Sequence, residues 1–365
     1  MNLSRMMCVA LSLAAGIEFI KHRAQAQDVK PTSGVPVFQA DPNWPKLGNM
    51  KIGMLMGLAV DSHDHVWLLH RQSTIAAKDK AQQAPPVVEL DADGNFVQGW
   101  GGPGEGYEWS IGHEHGIFVD SRDNVWIGSA EVGSNKEVNQ VLKFTKTGKF
   151  LMQIGHRGMS KGSNDPENFR GAADIFVEPK NNEAYIADGY GNHRVIVVDA
   201  DTGAFKRLWG AYGSKPDDNN PGGPDYVAQF GIVHTAVVSK DGLVYVADHT
   251  GGRIQVFTPD GKFVKERELG RYTKPRAGTV AIAFSIDPRQ RFVYVLDLRR
   301  WVIDVLDRQT LATVEQIGHQ GDQPGEFINP HNMASDSKGN LYVGDMGFQA
   351  DRTWSGRVQK LVLKP

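Results

Sequence analysis

Three of the twelve histidines, His115, His234 and His331, share one address in a repeating chain. Each stands five residues before the polar start of a tight turn, at Asp120, Ser239 and Asp336. Counting back five from the corresponding turns at Asp61, Glu178 and Asp287 gives Met56, Ala173 and Ile282. Histidine therefore occupies alternate members of a sixfold series. Three imidazoles facing one another about an axis suit either of two chemistries. As neutral ligands they hold zinc and leave a fourth position open, which is the catalytic arrangement. Without a metal they form a hydrogen-bonded ring around ordered water. Two more residues lie where the chain crosses the same mouth. Arg71 follows Trp67 by four residues and Tyr190 follows Tyr185 by five. A guanidinium there either grips a substrate carboxylate in two places or is a surface charge. A phenol beside a divalent cation titrates below its usual value near 10 and acts as a base, or else packs between neighbouring units.

These positions can be compared because the chain repeats. Six segments carry one pattern, an apolar strand, a polar turn and a second strand centred on an aromatic. Examples are GLAVDSHDHVWLLHR from Gly57, GIFVDSRDNVWIGSA from Gly116 and NMASDSKGNLYVGDM from Asn332. The aromatics are Trp67, Trp126, Tyr185, Tyr245, Tyr294 and Tyr342, spaced by 59, 59, 60, 49 and 48 residues. After each of the first five comes a second hairpin, such as VLKFTKTGKFLMQIG, with turns of the Asp-Gly and Thr-Gly kind. Four strands repeated six times predict an all-β, six-bladed β-propeller. The sixth unit ends in RVQKLVLKP, one strand short, so Val35 to Leu47 is expected to supply its outer strand and close the ring.

Composition narrows the partners. A net charge of −2 gives no basic face for nucleic acid, and 40% hydrophobic residues exclude disorder. Arg5, the apolar run Met6 to Ile17 and Ala24-Gln25-Ala26 have the layout of a secretory signal peptide. Residues 1–26 are thus expected to be removed, leaving 27–365 as a single propeller domain exported to the periplasm or secreted. Cys8, the single cysteine, would leave with the signal, so histidine is the soft ligand that remains. No later stretch is apolar enough for membrane insertion, and the expected state is a monomer.

The segments LLHR, HGIFVDSRDNVWI, IADGYGNHRVIVVD, VHTAVVSKDGLVYVAD and PHNMASDSKGNLYVGD resemble NHL-type blades. Their constellation is similar to the peptidyl-α-hydroxyglycine α-amidating lyase family, zinc-dependent six-bladed propellers. The resemblance spans about Gly57 to Asp345. It implies zinc on His115, His234 and His331, Tyr190 as the base, and Arg71 as an active-site guanidinium. It further implies calcium held by the Leu58 and Ile117 carbonyls and by Asn332, which stands where the family has an aspartate. The family's second active-site arginine is His249 here, a candidate proton donor. The implied reaction splits a carbinolamide C–N bond, giving an amide and glyoxylate from a small-molecule or peptide substrate that bears a carboxylate. The alternative is a non-catalytic NHL propeller serving as a ligand- or protein-binding platform.

Overall fold

The computed structural model describes residues 34–130, 139–220, 228–270, 278–347 and 354–364. The expected leader, residues 1–26, lies outside the described residues. Six four-stranded antiparallel sheets stand in a ring, each strand paired with the next along the chain. The innermost strands are Met54–Val60, Glu114–Val119, Ala172–Glu178, Val233–Val238, Thr279–Phe284 and Pro330–Ser335. Each packs against the inner strand of the next blade, and the sixth returns to the first. The sixth blade takes its outer strand from the N-terminal side, as expected. Phe38, Gln39 and Ala40 pair with Leu363, Val362 and Leu361.

The recurring aromatic is explained by what it touches. Trp67 and Trp126 are fully buried. Each donates its indole N–H, at 3.0 Å, to the aspartate that opens its own turn, Asp61 or Asp120. Tyr342 does the same to Asp336 at 3.1 Å. One ring thus fills the space between sheets and adds a side-chain donor to a turn carboxylate that already accepts backbone N–H groups of its own turn.

Every innermost strand carries a β-bulge at one level. The pairing register slips at Met56, at His115 and Gly116, at Ala173, at His234, at Val280 and at His331. A bulge re-aims a side chain and leaves its backbone groups free for other partners. Here it turns the three histidines toward the axis. The fifth blade corrects the expected register. Its turn opens at Ser285, whose N–H bonds to the carbonyl of Phe292. That turn is three residues longer than those of blades 1, 2, 4 and 6, and its first residue is Ser285 and not Asp287, so the ring position is Val280 and not Ile282.

The blades meet closely at this level. A Cβ placed on Gly116 would lie 2.4 Å from the Ala173 carbonyl and 2.7 Å from the Asp174 Cα. Both are backbone atoms that cannot rotate away. Gly116→Ala should therefore wedge blades 2 and 3 apart at a cost of about 1–3 kcal/mol. The expected result is a lowered melting temperature together with weakened metal affinity at the histidine ring, and an unchanged melt would remove this account of the glycine.

Candidate metal centre

The three histidines do converge. His115, His234 and His331 are 1–2% exposed. Their ring centroids are 4.7 to 5.1 Å apart. One nitrogen from each lies within 4.8 Å of the other two, and the Nε2 atoms of His234 and His331 are 3.2 Å apart. The opposite nitrogens are tied down by the next blade. His115 Nδ1 donates to the Ala173 carbonyl and His234 Nδ1 to the Val280 carbonyl, each at 2.7 Å. A carbonyl only accepts, so Nδ1 carries the proton and Nε2 presents its lone pair to the axis. The third ring is held differently, by the Asn332 side-chain amide, whose nitrogen stands 2.9 Å from His331 Nδ1. A half-turn of that amide presents its oxygen instead, which sets the same tautomer.

Burial holds all three imidazoles neutral. It is the largest cause in each case, and it brings His234 down to about 3 with the help of His249. His115 is lowered further by His234 and Arg71, and His331 by His234, His115, His249 and Arg71. Three neutral nitrogen donors, each oriented through its far nitrogen, fit a zinc ion well.

The other candidates surround this ring. The Tyr190 hydroxyl is 3.0 Å from His115 Nε2, and its ring lies 5.8 Å from that of His234. Burial raises its pKa and the nearby Arg71 opposes that. Arg71 is not a surface charge. It is 9% exposed and donates to the carbonyls of Glu114 at 3.1 Å and Ala130 at 2.9 Å. His249 lies 5.6 Å from His234, ring to ring. Its Nδ1 is buried with no hydrogen-bond partner among the described residues. Burial first and the charge of Arg299 second bring its pKa down to about 4. Leu58, Ile117 and Asn332 all line the central channel, a cavity of about 390 Å³ on the turn side of the ring. The Asn332 amide there is engaged with His331, and no cation is assigned to that set.

Two features of this region escaped the sequence reading. Asn332, expected only as a cation ligand, also contacts a histidine through its side chain. Asp174, in the inner strand of blade 3, lines the same channel. Burial raises its pKa to about 7, against a hydrogen bond from Thr235 and another from the Ile175 N–H. The available signal was an acidic residue inside the apolar run DIFV.

Fold and site together define a six-bladed, NHL-type propeller with a three-histidine centre on its axis. No family model matches the chain. It is 26% identical over 330 residues to NHL repeat-containing protein 3 of Mus musculus, covering 86% of this chain and 82% of that protein. It is 27% identical over 237 residues to the probable peptidyl-alpha-hydroxyglycine alpha-amidating lyase of Caenorhabditis elegans, covering 61% of each. A streptogramin B lyase structure superposes with a TM-score of 0.50 at 14% identity, over 90% of this chain and 98% of that one. That likeness is one of fold. The homologues thus include both NHL-repeat proteins and amidating lyases, in line with the resemblance read from the sequence. Among the described residues, no helix is long and apolar enough to cross a membrane.

Two outcomes follow from this geometry. Asn332→Leu removes the one side chain that fixes His331 and should weaken zinc affinity about 10- to 100-fold, while Asn332→Asp keeps an acceptor and retains it. Competition with a chromogenic chelator measures both, and equal affinity in the leucine variant would show that His331 needs no such partner. Asp174 has a native pKa above its ordinary value of 3.8. The native state therefore holds the extra proton, and stability falls as pH rises from about 4 through about 7. Asp174→Asn should raise the melting temperature, by more at pH 8 than at pH 4; a gain independent of pH would count against the buried carboxyl.

Proposed function

We propose that the protein is a zinc-dependent lyase of the amidating kind, acting on R–CO–NH–CH(OH)–COO⁻ to give R–CO–NH₂ and glyoxylate. The observation that carries this reading is the Tyr190 hydroxyl, held 3.0 Å from a nitrogen of the three-histidine ring with the Arg71 guanidinium fixed beside it. A platform that only binds has no use for that combination. The names of the distant relatives support the same chemistry. His115, His234 and His331 would hold zinc, which when bound supplies a Lewis acid to the substrate's α-hydroxyl.

The chain's own residues would do the rest. Tyr190 takes the hydroxyl proton at its phenolate oxygen. Arg71, anchored by two carbonyls, lowers the cost of that phenolate and of negative charge developing on the substrate oxygen. As the C–O bond becomes a carbonyl, the C–N pair leaves with the amide nitrogen, which needs one proton. Tyr190 can return the proton it took, which leaves the amide product neutral at nitrogen and the phenolate restored. Export through residues 1–26 belongs to the same proposal.

Purified protein should bind one zinc per chain, and His234→Ala should lose it. Wild-type protein should release glyoxylate from an N-acyl-α-hydroxyglycine, with a fall in turnover of about 10²–10⁴ in Tyr190→Phe. Full glyoxylate release by His234→Ala, or none by zinc-loaded wild type, would leave the platform reading in its place.

A further inference from the structure

The second hairpin strand of blades 3 to 6 ends in a buried aspartate, at Asp188, Asp248, Asp297 and Asp345. Each of these carboxylates is paired with an arginine, Arg194, Arg253, Arg300 or Arg357. Each also accepts a backbone N–H from the segment entering the innermost strand. The donors are Arg170, Gly231, Gly278 and, in blade 6, both Ile328 and Asn329. The residues just past the aspartates are therefore fixed over one mouth of the ring. Tyr190 stands two residues beyond Asp188. Its equivalent in blade 5, two residues beyond Asp297, is Arg299.

Packing bears out the equivalence. In blades 3 and 5 the residue before the inner strand is a glycine, Gly171 or Gly278, and this side chain lies across it. A Cβ on Gly171 would meet Tyr190 Cβ at 2.7 Å, and a Cβ on Gly278 would meet Arg299 Cγ at 2.9 Å. The same point on Gly278 is 3.1 Å from His249 Cε1. Arg299 thus runs alongside the imidazole that borders His234. Its side chain is exposed and has no hydrogen-bond or ion-pair partner among the described residues. Next to it is His249 Nδ1, buried and likewise without a partner. Arg71 differs, since its guanidinium is already committed to two backbone carbonyls.

We propose that Arg299, with His249 Nδ1 beside it, is the subsite that receives the carboxylate of the substrate. A guanidinium and a neighbouring ring N–H match the two oxygens of one carboxylate, and a carboxylate selects the Nδ1–H tautomer of His249. The subsite borders the histidine ring through His249, whose ring is 5.6 Å from that of His234. It would hold the carboxylate while leaving the adjoining α-hydroxyl over the histidine nitrogens. The amide end of the ligand is then left to the solvent side, so the site reads the acid and not the acyl group.

This assignment rests on the lyase reading for its substrate, so the test separates the two. N-Benzoyl-α-hydroxyglycine and its uncharged carboxamide are compared on the zinc-loaded full chain, wild type against Arg299→Gln and Arg299→Lys, with folding checked by circular dichroism. Arg299→Gln should raise KM for the acid about tenfold or more, with a much smaller change in kcat and little change in KM for the carboxamide. Arg299→Lys should recover part of the loss, and added salt should shrink the difference between wild type and glutamine variant. Equal losses for acid and carboxamide, or no loss for either, would overturn the assignment. If wild type turns over neither compound, the lyase reading fails, and calorimetry with the same pair decides this one. Preference of wild type for the acid, abolished in Arg299→Gln, sustains the carboxylate subsite; no preference in wild type overturns it.

Discussion

An imidazole is aimed at a shared centre, in one tautomer, by the partner its other nitrogen keeps, and for two of the three rings here that partner comes from the neighbouring blade. The His115 and His234 rings are locked by carbonyls of Ala173 and Val280 at 2.7 Å. Those carbonyls are available because the strands bearing them bulge at that level. The bulges come in turn from six sheets that must taper toward an axis. Blades 3 and 5, which bring no histidine to the ring, are thus as necessary to the centre as blades 2 and 4. The alternation along the chain is a division of labour between blades that ligate and blades that orient.

The same logic explains where the site is stiff. The buried Asp–Arg pairs fasten the end of each second strand to the entry of the first. A buried pair of this kind adds little net stability, since desolvation offsets the attraction. Its use here is geometric. It fixes the backbone on which Tyr190, His249 and Arg299 are mounted, so three side chains from three blades meet over one ring. Among the described residues blades 1 and 2 show no such pair, and Arg71 links them by donating to the carbonyls of Glu114 and Ala130.

Much of this was legible in the sequence, and what was not has definite causes. The six aromatics and the three histidines showed because blades 1 to 4 and 6 hold a constant distance between ring position and turn. Blade 5 broke the count through a turn three residues longer, whose aspartate, Asp287, sits two residues inside it, so Val280 was passed over for Ile282. Arg71 and Tyr190 were found by their place after the aromatic strand. Their surroundings were not, since the carbonyls that hold Arg71 lie 43 and 59 residues away. A backbone acceptor leaves no mark on residue identity. Asn332 entered the sequence reading through the family resemblance, at the place of an aspartate, and its contact with the histidine one position before it carried no separate mark in the sequence. Arg299 was hidden among three consecutive basic or bulky residues at a loop, and its equivalence to Tyr190 emerges once Gly278 and Gly171 are seen to do the same work.

The pairing of Phe38–Ala40 with Leu361–Leu363 has a consequence for the order of events during biosynthesis. Blade 6 is the last to leave the ribosome, and its outer strand is among the first segments made. His115 and His234 therefore take their places, each with its carbonyl partner already synthesised, well before His331 exists. Until the early strand finds the late one, the axis carries two donors instead of three, and a cation meeting the nascent chain finds only a weak, open-sided site. Completion of the three-histidine ring and closure of the propeller thereby coincide, and capture of the proposed zinc would fall at that same last step.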